Sequence, residues 1–171
     1  MAGKVTVITD TSVLINFLVI DKVGLLASLP GTQFVITDHV RSEVTAHYFQ
    51  QLERLESCLS NQQLLEISVV DPVEVGLFAT LTQTGLGIGE CSAIAVAQHR
   101  GHALAIDDKT ARKRVAALYP AMTVLTTESI VVKLIKSNLL SVTDADAFKA
   151  EWEQNHRFRL SFSSFSELLT P

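Results

Sequence analysis

Two adjacent aspartates close an apolar run in the segment HALAIDDKTARKRV (residues 102–115), and positive charge follows at once in Lys109, Arg112, Lys113 and Arg114. Neighbouring carboxylates repel one another, so at the end of a hydrophobic segment they are tolerated when water screens them or a cation lies between them. Other acids fall at comparable places. Asp10 closes the run VTVIT, Glu90 opens the segment that feeds residues 102–107, and Glu43 lies about one helical turn past Asp38, which closes a further apolar run. Carboxylate oxygens are the ligands that Mg²⁺ and Mn²⁺ prefer, and Mg²⁺ keeps several waters when one or two protein carboxylates bind it. Gathered at one place, Asp10, Glu43, Glu90, Asp107 and Asp108 would suit a hard divalent cation with open water positions. Such an ion acidifies a bound water, orients a phosphate and neutralises charge on a leaving oxygen, which are the requirements of phosphodiester hydrolysis.

The surrounding pattern predicts what must bring these acids together. Short β-type runs alternate with helical periodicity, the signature of a parallel sheet with crossover helices. Strands are expected at residues 4–10, 32–38, 64–71, 102–107 and 122–127. Helices are expected at 12–29, capped by Thr11 or Ser12, at 39–59, and from Pro72 to just before Gly85, with Asp71 as its cap. Three more follow at 90–100, ended by Gly101, at 109–119 and at 128–140. The remainder from Ser141 reads as two further helices around a turn at residues 155–159. No linker, repeat or low-complexity tract interrupts the chain. The expectation is one α/β domain over residues 1–171, with a parallel sheet of about five strands in a core of about 4–136 and a C-terminal helical extension at 141–171. In an open parallel sheet ligands bind beyond the C-terminal ends of the strands, which is where Asp10 and the Asp107–Asp108 pair fall.

Composition narrows the class further. A chain of 171 residues with 47% hydrophobic and 19% charged side chains can bury a real core and is not disordered. Its net charge of −4 argues against a protein that coats nucleic acid by bulk electrostatics. Charge is unevenly placed, however: no Lys or Arg occurs from Leu55 to His99, and then Arg100, Lys109, Arg112, Lys113 and Arg114 follow closely. Lys109, Arg112 and Lys113 share helical spacing and could form a stripe beside the carboxylates that contacts RNA phosphates, or a merely solvated face; Arg114 should point elsewhere. The longest apolar region is broken by Asp21 and Lys22 into halves too short to cross a bilayer, and the N-terminus lacks a signal-peptide pattern, so a cytoplasmic protein without membrane association is expected. Cys58 and Cys91 read as reduced packing residues.

Competing motifs fail on spacing. The glycines of GLGIGE follow a helical stretch and do not fit GxGxxG. The five histidines show no zinc spacing, and Gly101 breaks the helix that would align His99 with His102. The order of acids in the chain is also wrong for a phospho-acceptor receiver domain.

The stretches VITDTSVLINFL, VITDHVRSEV, GIGECSAIAVAQHRG and ALAIDDKTARKRVA resemble, in that order, the four acidic motifs of PIN-domain ribonucleases, most nearly the VapC-like toxins of toxin–antitoxin modules. The resemblance covers roughly residues 4–136. It implies a PIN-like three-layer domain and an Mg²⁺- or Mn²⁺-dependent endoribonuclease that leaves 5′-phosphate and 3′-hydroxyl ends. By it Asp10 is the first metal ligand, Ser12 its polar support, Glu43 the second acid and Glu90 the third, where the family more commonly has Asp. One of Asp107 and Asp108 supplies the fourth acid while the other assists or caps the next helix. A cognate antitoxin and a homodimer are implied as partners. The alternative is a PIN-like RNA-binding or protein-interaction module without catalysis, which would bind Mn²⁺ weakly.

Overall fold

In the computed structural model, which describes residues 3–170, β1 (Val5–Thr9), β2 (Thr32–Thr37), β3 (Leu65–Ile67), β4 (Ala103–Ala105) and β5 (Val124–Leu125) form one sheet. All neighbours are parallel, in the order β3-β2-β1-β4-β5. The chain leaves β1 in one direction toward β2 and returns on its other side as β4. The strand order therefore reverses between β1 and β4, and a crevice opens beyond their C-terminal ends.

Alternation along the strands divides the core in two. Val7, Phe34, Ile36, Ala103 and Ala105 face a cluster built from α1 (Thr11–Val19), α2 (Val23–Ser28), α8 (Thr127–Lys136) and α9 (Val142–Asn155). Ile8, Val35, Leu104 and Ile106 face the opposite cluster, supplied by α5 (Pro72–Thr82), α6 (Ile88–Arg100) and α7 (Lys109–Leu118). The result is an α/β/α sandwich of the expected class. Helices α3 (Asp38–His47) and α4 (Leu52–Ser60) complete the first layer, with Val40, Val44 and Leu55 fully buried.

Several boundaries differ from the sequence expectation. The helix expected at 12–29 is two helices, because Asp21 adopts φ +56° and the Lys22 N–H closes back on the Phe17 carbonyl, a left-handed helix stop. The cap of α1 is Asp10, not Thr11 or Ser12: its side chain accepts from the Ser12 N–H. The helix expected at 39–59 divides at a 3-10 turn over Phe49–Gln51. The final stretch does not form a second long helix. Phe158, Leu160 and Phe162 turn inward while Arg159, Ser161 and Ser163 stay exposed, a period of two that belongs to an extended chain. Only a 3-10 turn at Phe165–Leu168 follows, with the Phe165 N–H and the Ser164 hydroxyl donating to Asp146. Both cysteines are free and buried, and burial pushes the Cys91 thiol up to about 11.

Helix α5 is tied to α6 by the fully buried Glu74, which accepts from Arg100 Nε at 2.6 Å and Nη2 at 3.1 Å, with His99 Nδ1 also at 3.1 Å. The Arg100 guanidinium holds the Glu74 carboxyl below the usual range. This pairing joins the start of α5 to the end of α6, at the end of the helix pair away from the loop over residues 83–87.

Candidate functional site

The crevice at the strand reversal collects the acids. A groove of about 310 Å³ is lined by Asp10, Thr11, Ser12, Glu43, Tyr48 and Glu90, among others. Asp10 is 2% exposed, and Ser12 holds one of its oxygens: Oδ2 accepts from the Ser12 N–H at 3.1 Å and from the Ser12 hydroxyl at 2.6 Å. Its other oxygen, Oδ1, is buried without any hydrogen-bond partner. Burial pushes the Asp10 carboxyl up to about 6 despite the Ser12 bonds that oppose it, and the Glu90 charge raises it further.

Glu43 comes from α3 and is fixed from two sides. Thr11 Oγ1 donates to Oε2 at 2.6 Å, and the Gly89 N–H donates to Oε1 at 2.8 Å. A Cβ on Gly89 would stand 2.5 Å from Oε2, so only glycine admits this carboxylate. Glu90 Oε2 accepts from the Gly87 N–H at 2.9 Å, the half of a capping box that a glycine cap permits at the start of α6. Burial raises the Glu90 carboxyl first, and the charges of Asp108 and Glu43 raise it further.

The paired aspartates divide their tasks. Asp108 caps α7, with Oδ1 accepting from the Ala111 N–H at 2.7 Å, and its charge acts on Glu90. Both oxygens of Asp107 are occupied: Oδ1 accepts from the Thr127 N–H at 2.8 Å, and Oδ2 from Thr127 Oγ1 at 2.6 Å and Asn16 Nδ2 at 2.9 Å. Burial raises the Asp107 carboxyl, with these bonds opposing it. The Asp107 N–H donates to Ser12 Oγ at 3.2 Å, so Ser12 links the ends of β1 and β4.

Asp10, Glu43 and Glu90 thus line one groove, and the field of Asp108 reaches Glu90. As they stand, no three His, Cys, Asp or Glu side chains among the described residues are grouped closely enough to enclose a metal ion. Glu43 and Asp107 are held by internal hydrogen bonds. The donor set nevertheless fits a hard cation that keeps its waters: it is all carboxylate, and a buried oxygen of Asp10 faces no protein donor.

Lys109 and Arg112 border a second cleft, beside Asp107. Lys113 is exposed on α7 but does not line it, and Arg114 turns away to donate to the Thr84 carbonyl at 3.3 Å. Sequence reasoning missed Asn16, Thr127, Thr11 and Gly89. Asn16 carried a signal, as the lone amide within the apolar run SVLINFLV. Threonine contacts across the fold carried none.

Gly89→Ala separates stability from site geometry. Its methyl meets the carboxylate end of Glu43 and not backbone; the buried Gly89 N–H loses its acceptor while the helix gains an alanine, so the fold should lose no more than about 2 kcal/mol in urea denaturation. The Glu43 carboxylate must leave its place, and any activity of the site should fall about ten- to a hundredfold.

This architecture defines the class: the chain belongs to the PIN-domain family, whose family model matches residues 6–170. PIN domains are in general nucleases and depend on divalent metal. The fold is also that of a chain in a solved structure described as a toxin–antitoxin complex from Klebsiella pneumoniae, with 21% identity and a TM-score of 0.50 over 71% of this chain and 97% of that one. No curated protein sequence matches the chain.

Proposed function

We propose that this PIN domain is an Mg²⁺- or Mn²⁺-dependent endoribonuclease and the toxin of a toxin–antitoxin pair. The observation that carries the reading is Asp10: a buried carboxylate with one unpartnered oxygen, placed at the strand reversal and in the field of Glu90. No fold gains stability from such a group, so a ligand is its natural complement.

Asp10, Glu43, Glu90 and Asp108 would hold the ion. When bound, a hard cation there would supply the charge neutralisation and the acidified water that phosphodiester hydrolysis needs. Ser12 orients Asp10, while Thr11 and Gly89 orient Glu43. Asp107 acts as the tie between β4, α1 and α8. In the reaction a water oxygen joins phosphorus as the bond to O3′ breaks, and the water proton ends on O3′, leaving 5′-phosphate and 3′-hydroxyl ends. The toxin role is supported by the toxin–antitoxin complex that shares the fold. A cognate antitoxin that covers the acidic groove and a homodimer accompany that role. A cytoplasmic location goes with the toxin role; among the described residues no helix is long and apolar enough to cross a membrane.

A panel of tRNA, rRNA and mRNA incubated with purified protein tests the reading. Cuts are expected with Mn²⁺ or Mg²⁺ and not with EDTA, and they should vanish in the triple variant Asp10→Ala, Asp107→Ala, Asp108→Ala. The hydrogen-bonded state of Glu43 and Asp107 favours one other reading, an inert RNA- or protein-binding module. Calorimetric titration with Mn²⁺ decides between them: no heat, together with no cleavage, would leave the module.

A further inference from the structure

The C-terminal extension does more than cover the core. Its segment over residues 158–163 is extended, and Phe158 lies edge-on to Trp152 with ring centroids 5.5 Å apart. The Phe158 N–H donates to the Trp152 carbonyl, and the Leu160 N–H reaches Glu153 Oε1 at 3.4 Å. With Phe158 and Leu160 anchored inward, the period of two turns Arg159 and Ser161 outward. Together with the inner flanks of Phe158 and Leu160 they line a cleft of about 460 Å³ that is shared with Lys109 and Arg112 from the first turn of α7.

We propose that this cleft binds a backbone phosphate of the nucleic-acid strand, adjacent to the phosphate that is cut, and that Arg159 is a substrate-binding residue supplied by the extension. The proposal rests on the nuclease reading for the identity of the strand. Asp107 forms part of the cleft and is joined through its N–H to Ser12 of the acidic groove, so the two depressions are neighbours. Among the described residues Lys109, Arg112 and Arg159 form no salt bridge within 4.0 Å, although the Arg112 charge acts on Asp107 and the Arg159 charge on Glu153, so their N–H donors are open to a ligand. Two carboxylates share the cleft, Asp107 and Glu128. Thr127 and Asn16 occupy the oxygens of the first, and three cationic side chains against two carboxylates leave the lining with an excess of positive charge. Guanidinium groups suit phosphate by their paired N–H geometry, and the Thr126 and Ser161 hydroxyls add neutral donors. A strand crossing both depressions would meet carboxylates and their cation at one phosphate and cationic side chains at the next. That arrangement accounts for how a protein of net charge −4 could hold a polyanion.

The test is fluorescence anisotropy of a labelled single-stranded RNA, in Mg²⁺ and on an Asp10→Asn background that prevents cutting. Arg159→Gln and Arg112→Gln should each weaken binding about five- to tenfold and lower the slope of log affinity against log salt by about 0.7, the loss of one phosphate contact. Lys136→Glu, a larger charge change far along α8, should leave both unchanged. Wild-type affinity and slope in Arg159→Gln overturn the proposal, as does an equal loss in Lys136→Glu, which would mean diffuse attraction. An acidic peptide that depends on Arg159 when the RNA does not also overturns it. Cleavage assays keep the two readings apart. Metal-dependent cutting with unchanged KM in Arg159→Gln sinks this inference alone, whereas Arg159-dependent binding without any cutting sinks only the nuclease.

Discussion

Asp10→Asn should yield a protein that is more stable than the wild type and nearly inert. The carboxyl titrates at about 6 in the folded chain against 3.8 for the free side chain, because burial penalises its charge. A raised folded-state pKa means that its favourable contribution is fully present below about 3.8 and is lost as pH rises through about 6. At neutral pH the ionised group therefore costs the native state on the order of 3 kcal/mol, and an amide of the same shape escapes that cost. Melting in EDTA should show Asp10→Asn more stable at pH 7 to 8, with the difference narrowing as pH falls toward 4. Mn²⁺ should stabilise the wild type and leave the variant unmoved, since only the native carboxylate gains a ligand. Cleavage should fall by about a thousandfold or more, the several kcal/mol of charge stabilisation that a bound cation supplies. Equal stability across this pH range would show that the buried oxygen of Asp10 is not strained by its surroundings.

Trp152→Ala should destabilise the chain by about 3–5 kcal/mol, the usual result of emptying a large buried aromatic site. Trp152 is fully buried in α9, edge-on to Phe17 of α1 at 6.0 Å and to Phe158 at 5.5 Å. Its Nε1 donates to the Asn16 carbonyl at 2.7 Å. Asn16 in turn gives its side-chain amide to Asp107 and to Thr127 Oγ1. Trp152→Phe keeps most of the volume but leaves that buried carbonyl without its donor, so about 1–3 kcal/mol is expected for it. Urea denaturation of both variants gives the two numbers. If Trp152→Ala costs no more than a surface substitution, the extension is not part of the cooperative core.

Much of this molecule follows from local pattern. Alternating apolar runs and helical periodicity name the five strands and most of the helices, because a buried strand and an amphipathic helix each impose a spacing that can be read directly. Asp10 and the Asp107–Asp108 pair are legible as candidates because they end apolar runs, and a parallel sheet places such ends at one edge. Gly101 ends its helix in the left-handed conformation, as a glycine at that place should. The segment FRLSFS was also legible: its strict alternation excludes the helix expected there, and the helical context before it conceals that signal.

The rest depended on tertiary packing. That Asp107 is the member of the aspartate pair locked by Asn16 and Thr127 is decided by residues 91 and 20 positions away in the chain. Glu43 is a usable carboxylate only because Gly89, 46 residues later, has no side chain and offers its N–H. Arg159 reaches the cleft beside α7 only because Phe158 and Leu160, which also line that cleft, pack the extension against the core. Sequence spacing sets which side chains share a face of one element, since helix and strand geometry are local. It does not set which faces meet, because that is fixed by the shape and burial of elements brought together from far along the chain.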